Sequence, residues 1–181
     1  HGATVTVSGV NDAPVNTVPG SISVTEDVAT ALTGISIADV DAAAGSITVA
    51  LSVTAGSLAA TSSGGVAIAG SGTSSLTLTG SLASINTYLG AVATRPVFTP
   101  ALNASGAVTL TMATSDGGNS GSGGTLIDTD TAVITVTAVN DAPVVSSTAI
   151  TAAEASTGTA LGLAAPTDVD SGTLTITVTD L

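Results

Sequence analysis

A six-residue motif occurs twice in this chain and limits how the chain can fold. VNDAPV stands at 10–15 and again at 139–144, a spacing of 129 residues. Flanking stretches recur at the same spacing: GATVTVSG at 2–9 with TAVITVTA at 131–138, and ADVD at 38–41 with TDVD at 167–170. Matches at one spacing indicate tandem copies of a single structural unit. We therefore expect the last strand of one repeat with its linker at 1–14, a complete repeat at 15–139, and a linker with the opening of a further repeat at 140–181.

The composition favours β-structure. Hydrophobic residues make up 44% of the chain but aromatic residues only 1%, so the core must be built from Val, Ile, Leu and Ala. Val, Ile and Thr are branched at Cβ and fit a pleated sheet better than a helix. The chain is therefore predicted to be all-β.

Alternation of apolar and polar residues locates the strands of the complete repeat. We predict strands at about 21–25, 31–38, 46–53, 65–69, 74–79, 107–114 and 132–139. Seven short strands with Gly and Ser between them favour a Greek-key β-sandwich of the cadherin or immunoglobulin type. Leu82, Ile85 and Leu89 have helical spacing and predict a short helix. The stretch 116–124, DGGNSGSGG, is predicted to be a flexible loop.

The charge excludes several kinds of partner and reaction. The chain has thirteen acidic residues and one basic residue, Arg95, which gives a formal net charge of -12 at pH 7. Such a charge repels nucleic acids and anionic membrane surfaces, and no run of about 18 apolar residues predicts membrane insertion. The single His is at position 1 and the sequence has no Cys, so no Ser/His or Cys/His pair is available for nucleophilic catalysis. We predict that the chain is not an enzyme.

Tracing the strands sends the acidic residues to two ends of the complete repeat. A strand rises about 3.3 Å per residue, so the segment from Asp12 to Glu26 can cross a whole domain of about 40–45 Å. The second strand then returns the chain to the first end. The upper junction is predicted to gather Asn11, Asp12, Asp39, Asp41 and Asp116. The lower junction is predicted to gather Glu26, Asn140, Asp141, Asp168 and Asp170.

Carboxylates gathered in this way need a cation. At an effective dielectric constant near 20, each close pair repels by several kcal/mol. Calcium binds six to eight oxygens from carboxylates, amides and carbonyls at about 2.4 Å, which suits these residues. Zinc would favour His or Cys. The sequence therefore predicts Ca²⁺ as the bound cofactor, with about one to three ions per junction.

These residues resemble the bacterial cadherin-like repeats of large RTX-type surface adhesins. VNDAPV resembles the cadherin linker, ADVDA at 38–42 and TDVDS at 167–171 its Asp-x-Asp element, and ATSDGG at 113–118 its Ala-x-Asp-x-Gly element. Glu26 in VTEDV is similar to the Glu on the first cadherin strand. The chain departs from the family pattern because it has no Asp-Arg-Glu element in the middle of the repeat.

The resemblance implies a calcium-binding structural and adhesion repeat that stiffens a long bacterial surface protein through inter-domain ions. It also implies that the partners are neighbouring repeats of the same chain. The implied location is extracellular, either secreted or on the bacterial cell surface, where millimolar calcium fills sites of modest affinity.

Several alternatives stay open at this point. The chain could instead be a carbohydrate-binding or homophilic adhesion module, with cell-surface glycans or like domains as partners and only Tyr88 and Phe98 as aromatic platforms. Asp128 and Asp130 precede the last predicted strand and are either further ligands or solubilising charges on an edge. Arg95 is either a functional contact or the partner of a neighbouring carboxylate.

Overall fold

The computed structural model describes residues 2–42, 45–146 and 164–177. The chain forms two compact units, His1–Ala138 and Val139–Leu181, called the N-terminal and C-terminal units below. Parts of the predicted further repeat, 147–163 and 178–181, lie outside the described residues. The predicted division at 14 and 139 stays a prediction.

Strands and one helix make up the regular structure of the N-terminal unit. In chain order they are β1 (Val15–Thr17), β2 (Ser21–Thr25), β3 (Thr30–Ala31), β4 (Ser36–Ala38), β5 (Ser46–Val53), β6 (Ser57–Ala59), β7 (Ala67–Ala69), β8 (Ser75–Ser81), α1 (Leu82–Gly90), β9 (Val97–Thr99), β10 (Gly106–Ser115) and β11 (Ile127–Thr137). The prediction of an all-β chain is confirmed.

The strands pair into three sheets. The largest has six strands in the order β2-β11-β10-β5-β8-β7, and the smaller sheets have the orders β3-β9-β6 and β1-β4. Neighbours in the large sheet are antiparallel, except that β2 runs parallel to β11, with Ser21 opposite Val133 and Thr25 opposite Thr137. β2 and β11, which come first and last along the chain among the strands of this sheet, therefore lie side by side.

Alternating side chains build the core. In β5, Ile47, Val49 and Leu51 are fully buried while the residues between them face outward. Leu110 and Met112 on β10 and Ile134 on β11 continue the buried layer, and Phe98 belongs to the same buried cluster. The side-chain period of two on each strand thus produces one continuous aliphatic core.

The predicted helix is confirmed as α1. Ser81 caps its first turn, because the Ser81 hydroxyl accepts a hydrogen bond of 3.2 Å from the backbone N–H of Ser84. Ile85, Tyr88 and Leu89 form its buried face. Within the described part of the chain, no helix has both the length and the apolar character that crossing a membrane requires.

Two predicted strands differ from the structure. The strand predicted at 31–38 is broken into β3 and β4, because Gly34 adopts a φ of 74°, which turns the chain against Pro19. The last strand begins at Ile127 rather than at 132. Two of its first residues are Asp128 and Asp130, at positions where an ordinary half-buried strand has apolar residues, so the alternation of apolar and polar residues did not indicate a strand there.

Candidate metal centre

The upper end of the N-terminal unit gathers residues from three separate parts of the chain. Asn11 and Asp12 lie just before β1, Asp39 and Asp41 follow β4, and Asp116 follows β10. Pairing of β1 with β4 places Val15 opposite Ala38, so the linker and the Asp-x-Asp loop meet at the same end.

Backbone N–H groups orient the two carboxylates of the Asp-x-Asp loop. Asp39 Oδ1 accepts hydrogen bonds from the N–H of Asp41 at 3.0 Å and of Ala42 at 2.9 Å. Asp41 Oδ2 accepts one from the N–H of Asp12 at 2.9 Å. Each carboxylate therefore has one oxygen fixed by the backbone, and the linker is attached through Asp41.

The other oxygen of each carboxylate has no hydrogen-bond donor. Asp39 Oδ2 and Asp41 Oδ1 are buried from solvent and have no partner among the described residues. Burial raises the pKa of the Asp39 carboxyl and the neighbouring Asp41 carboxylate raises it further, against two backbone N–H groups that lower it. Buried acceptors of this kind are rare without a bound ion or water. These two oxygens are therefore candidate ligands for a cation.

Asp116 is 1% exposed and its carboxylate is satisfied by protein donors. Asp116 Oδ1 accepts from the N–H of Gly118 at 2.8 Å and of Leu126 at 2.9 Å, and Oδ2 accepts from Asn11 Nδ2 at 2.5 Å. Burial by itself raises the pKa of Asp116, but these three donors outweigh it, so the net shift is downward. Asp116 is thus held ionised at the base of the site.

Asn11 links this carboxylate to the linker. Its side chain is 5% exposed, and Nδ2 donates to Gly124 O at 2.9 Å as well as to Asp116. Both amide hydrogens of Asn11 are therefore used, which leaves its Oδ1 as the atom that could bind a cation.

The stretch 116–124 is a loop, and it makes hydrogen bonds to several neighbouring segments. The backbone of Ser122 accepts from Asn11 N at 2.9 Å and donates to Gly9 O at 3.0 Å. Asn119 Nδ2 donates to Ser46 O at 2.6 Å, and the Ser120 hydroxyl donates to Asp41 O. This stretch, called the strap below, crosses the linker. Its Gly-rich composition gave no sign of these contacts.

Gly121 is the point of closest approach between the strap and the linker. Its φ is 74°, and a Cβ placed there would lie 2.6 Å from both Asn11 N and Val10 C. A Cβ contact below about 3 Å is not tolerated in a packed structure. The strap can therefore cross the linker only with glycine at this position.

The C-terminal unit repeats the hydrogen bonds of the Asp-x-Asp loop. Asp170 Oδ2 accepts from Asp141 N at 2.6 Å, and Asp168 Oδ1 accepts from Asp170 N at 2.9 Å and from Ser171 N at 2.8 Å. These bonds copy those of Asp12, Asp41 and Asp39 in the N-terminal unit. Asn140 differs from Asn11, because it is exposed and its Nδ2 donates to Asp141 O at 2.8 Å.

Glu26 lies at the end of the N-terminal unit opposite to Asp116. It follows β2, and its backbone N–H donates to Thr137 O at 3.0 Å, at the end of the parallel strand β11. Its side chain is buried. The predicted lower junction combines Glu26 with residues of the C-terminal unit and stays a prediction.

Asp128 and Asp130 lie within β11 rather than before it. Asp128 Oδ2 accepts from Asn16 N at 2.7 Å, and Asn16 Nδ2 donates to Asp128 O at 3.0 Å. Thr114 Oγ1 completes the group by donating to Asn16 Oδ1 at 2.5 Å. Asp128 therefore attaches β1 to the large sheet. Sequence reasoning missed this role because Asn16 is distant in the sequence.

Arg95 does not pair with a carboxylate among the described residues. Its guanidinium donates to Gly90 O at 2.7 Å and to Ala91 O at 3.3 Å, which are carbonyls at the end of α1. Of the two alternatives for Arg95, pairing with a carboxylate therefore finds no support among the described residues. A basic side chain in this position stabilises the helix by satisfying its last carbonyl groups.

Comparison with family models, curated proteins and solved structures finds no match to this chain.

Proposed function

We propose that this chain is a calcium-binding structural and adhesion repeat that stiffens a long bacterial surface protein. The observation that carries the proposal is the pair of buried carboxylate oxygens without donors, Asp39 Oδ2 and Asp41 Oδ1. A divalent cation would satisfy both oxygens and offset the repulsion between the two carboxylates.

The donor set favours calcium among the common metal ions. It consists of carboxylate oxygens and, from Asn11, an amide oxygen, with no imidazole or thiolate. Zinc and copper sites usually include such nitrogen or sulfur ligands. Magnesium requires a near-ideal octahedron and keeps much of its water, whereas calcium accepts irregular sets of oxygens.

An ion at the upper end would join the linker to the body of the repeat. Asn11 and Asp12 belong to the linker, and Asp39 and Asp41 to a loop between strands. Binding would therefore fix the direction in which the linker leaves the repeat and limit its bending. The equivalent hydrogen bonds in the C-terminal unit support a second calcium site of the same kind.

The finer fold in this proposal is a cadherin-like Greek-key sandwich. Its support is the strand order, in which β2 lies beside β11 although most of the repeat separates them in sequence. Such an arrangement of first and last strands suits a chain of domains placed end to end. The proposed partners are neighbouring repeats, and the proposed location is extracellular, where calcium is plentiful.

The two aromatic residues of the chain argue against a sugar-binding module that depends on stacking. Tyr88 is 3% exposed and Phe98 is fully buried. The Tyr88 hydroxyl also donates to Thr61 O at 2.8 Å, which fixes the ring in the interior. Neither ring can serve as a platform for a sugar.

Calorimetry and thermal unfolding test the proposal. The double variant Asp39→Asn with Asp41→Asn should lose the calcium bound at the upper end, because an amide oxygen is a weaker ligand than a carboxylate. A matched control, Asp128→Asn with Asp130→Asn, removes the same charge and should keep the full number of bound ions. At a hundredfold excess over Kd, each lost ion removes about 2.7 kcal/mol of stabilisation.

The proposal predicts that a chelator lowers the melting temperature of the unmodified chain. It is abandoned if calorimetry detects no calcium binding and if melting is the same in calcium and in chelator. A loss of binding in the control variant equal to that in the Asp39 and Asp41 variant would move the site elsewhere.

A further inference from the structure

The outward side of the six-stranded sheet has no ionisable side chain. Alternation along β2, β11, β10, β5, β8 and β7 sends the following residues outward, all of them exposed or half-buried: Ser21, Ser23, Thr25, Ile127, Thr129, Thr131, Val133, Thr135, Thr137, Ala107, Thr109, Thr111, Ala113, Ser115, Ser46, Thr48, Ala50, Ser52, Ser75, Thr77, Thr79, Ser81, Ala67 and Ala69. Hydroxyl residues and small or branched apolar residues make up this whole surface, called the hydroxyl face below.

The hydroxyl face is aligned across the strands. Thr111 stands opposite Thr131 on one neighbouring strand and opposite Ser52 on the other, and Ser52 stands opposite Ser75. The residues therefore form straight rows of similar size. Because its side chains are short, this face allows the sheet of another copy to approach closely.

The absence of charge on this face is notable for such an acidic chain. All thirteen acidic residues lie at other positions, although the net charge is -12. Two copies of the chain that meet through any acidic surface would repel each other, whereas copies that meet through the hydroxyl face would not bring acidic residues together. A highly charged partner could form no ion pair with the hydroxyl face.

We propose that the hydroxyl face is a self-association surface at which two copies of this chain stack their large sheets face to face. Each hydroxyl group both donates and accepts hydrogen bonds, so a like face can satisfy it. Because both copies use the same surface, the contact is two-fold symmetric and closes after two copies.

The size of the face agrees with this role. The six strands range from three to eleven residues and contain 44 residues in all, so at about 3.3 Å per residue and about 4.8 Å between strands they cover roughly 700 Å². Specific protein interfaces bury about 800 Å² per partner. The face is therefore large enough for a specific contact between two copies.

Sedimentation of the full chain over micromolar to millimolar concentrations tests this surface. The unmodified chain should associate into dimers in calcium and in chelator alike. Thr111→Glu places a charge at the centre of the face and should weaken association at least about tenfold, because like charges would meet across the two-fold axis. Ser36→Glu, on the exposed side of β4, is the matched control and should associate like the unmodified chain.

A spin label gives a second measurement that does not depend on the folding of the Glu variant. The chain contains no Cys, so Thr111→Cys or Ser36→Cys carries a single label. The label-to-label distance should be short for position 111 and long for position 36. A chain that stays monomeric throughout the concentration range overturns the proposal, as does equal weakening by the two Glu variants. Binding of the monomeric chain to immobilised neutral glycans would indicate that the hydroxyl face binds glycans instead of a second copy.

The tests of self-association and of calcium binding are independent, so either proposal can be wrong while the other is right. Dimers that persist in chelator support the hydroxyl face whatever the calorimetry of calcium binding shows. Association that requires calcium overturns this proposal, because the hydroxyl face has no carboxylate to bind the ion.

Discussion

Substitution of Gly121 tests whether the strap holds Asn11 of the linker in the position that the proposed calcium site requires. Gly121→Ala would place a Cβ 2.6 Å from Asn11 N and from Val10 C, so the strap and the linker must separate. Separation breaks the two backbone hydrogen bonds between Ser122 and the linker, those to Asn11 N and to Gly9 O. At about 0.5–1.5 kcal/mol each, their loss amounts to about 1–3 kcal/mol.

Gly72→Ala is the matched control for this change. Gly72 lies away from the linker and has a φ of 84°, close to that of Gly121, but no atom lies within 4 Å of the Cβ it would carry. Both variants bear the cost of a left-handed alanine, roughly 1–2 kcal/mol. The difference between them isolates the collision with the linker.

Calorimetric titration with calcium measures this difference. If calcium binding requires the strap to hold Asn11 beside Asp41, the 1–3 kcal/mol above corresponds to a calcium affinity about 5- to 150-fold lower for Gly121→Ala than for Gly72→Ala. Equal affinities for the two variants would refute the idea that the strap organises the site.

Two further predictions follow from the hydrogen bonds of the N-terminal unit. Because the pKa of Asp116 is lowered by folding, its contribution to stability is present above the unfolded value of about 3.8 and is lost as the pH falls through the lower, folded pKa. Asn11→Ala removes one donor, so in chelator its acid unfolding, followed by circular dichroism, should begin at a higher pH than that of the unmodified chain; an unchanged or lower pH contradicts this. Asn16→Ala leaves the buried Thr114 hydroxyl without its acceptor and should lower the free energy of unfolding in urea by about 1–3 kcal/mol. A loss below about 0.5 kcal/mol, the size of an ordinary surface effect, contradicts a structural role for Asn16.

Long alternating segments were predictable because their pattern repeats often enough to be unmistakable. The predicted strand 46–53 has the same bounds as β5, and the predicted strand 21–25 has those of β2. Three-residue strands such as Val97–Thr99 offer only one or two alternations, so periodicity cannot distinguish them from a loop. Their position comes from tertiary pairing, which one segment of sequence does not contain.

The candidate site, too, was predictable from the sequence in part only. The repeat spacing and the traced strands predicted that the loop of Asp39 and Asp41 would lie near Asp12, and Asp12 N donates a hydrogen bond to Asp41. The part played by Asn119 and Ser120 in the strap could not be predicted, because their partners are distant in sequence and polar residues in a Gly-rich loop are commonplace. Asp128 was similarly ambiguous until Asn16 was located beside it.

The parallel pairing of β2 with β11 has a mechanical consequence. Five residue pairs join the two strands, from Ser21 with Val133 to Thr25 with Thr137. A pulling force that enters at the start of β2 and leaves at the end of β11 acts along the strands, from opposite ends of the ladder. The hydrogen bonds then carry the load together in shear and cannot open one after another. A protein built from several such units would resist tension through this strand pairing, while bending would take place at the linkers.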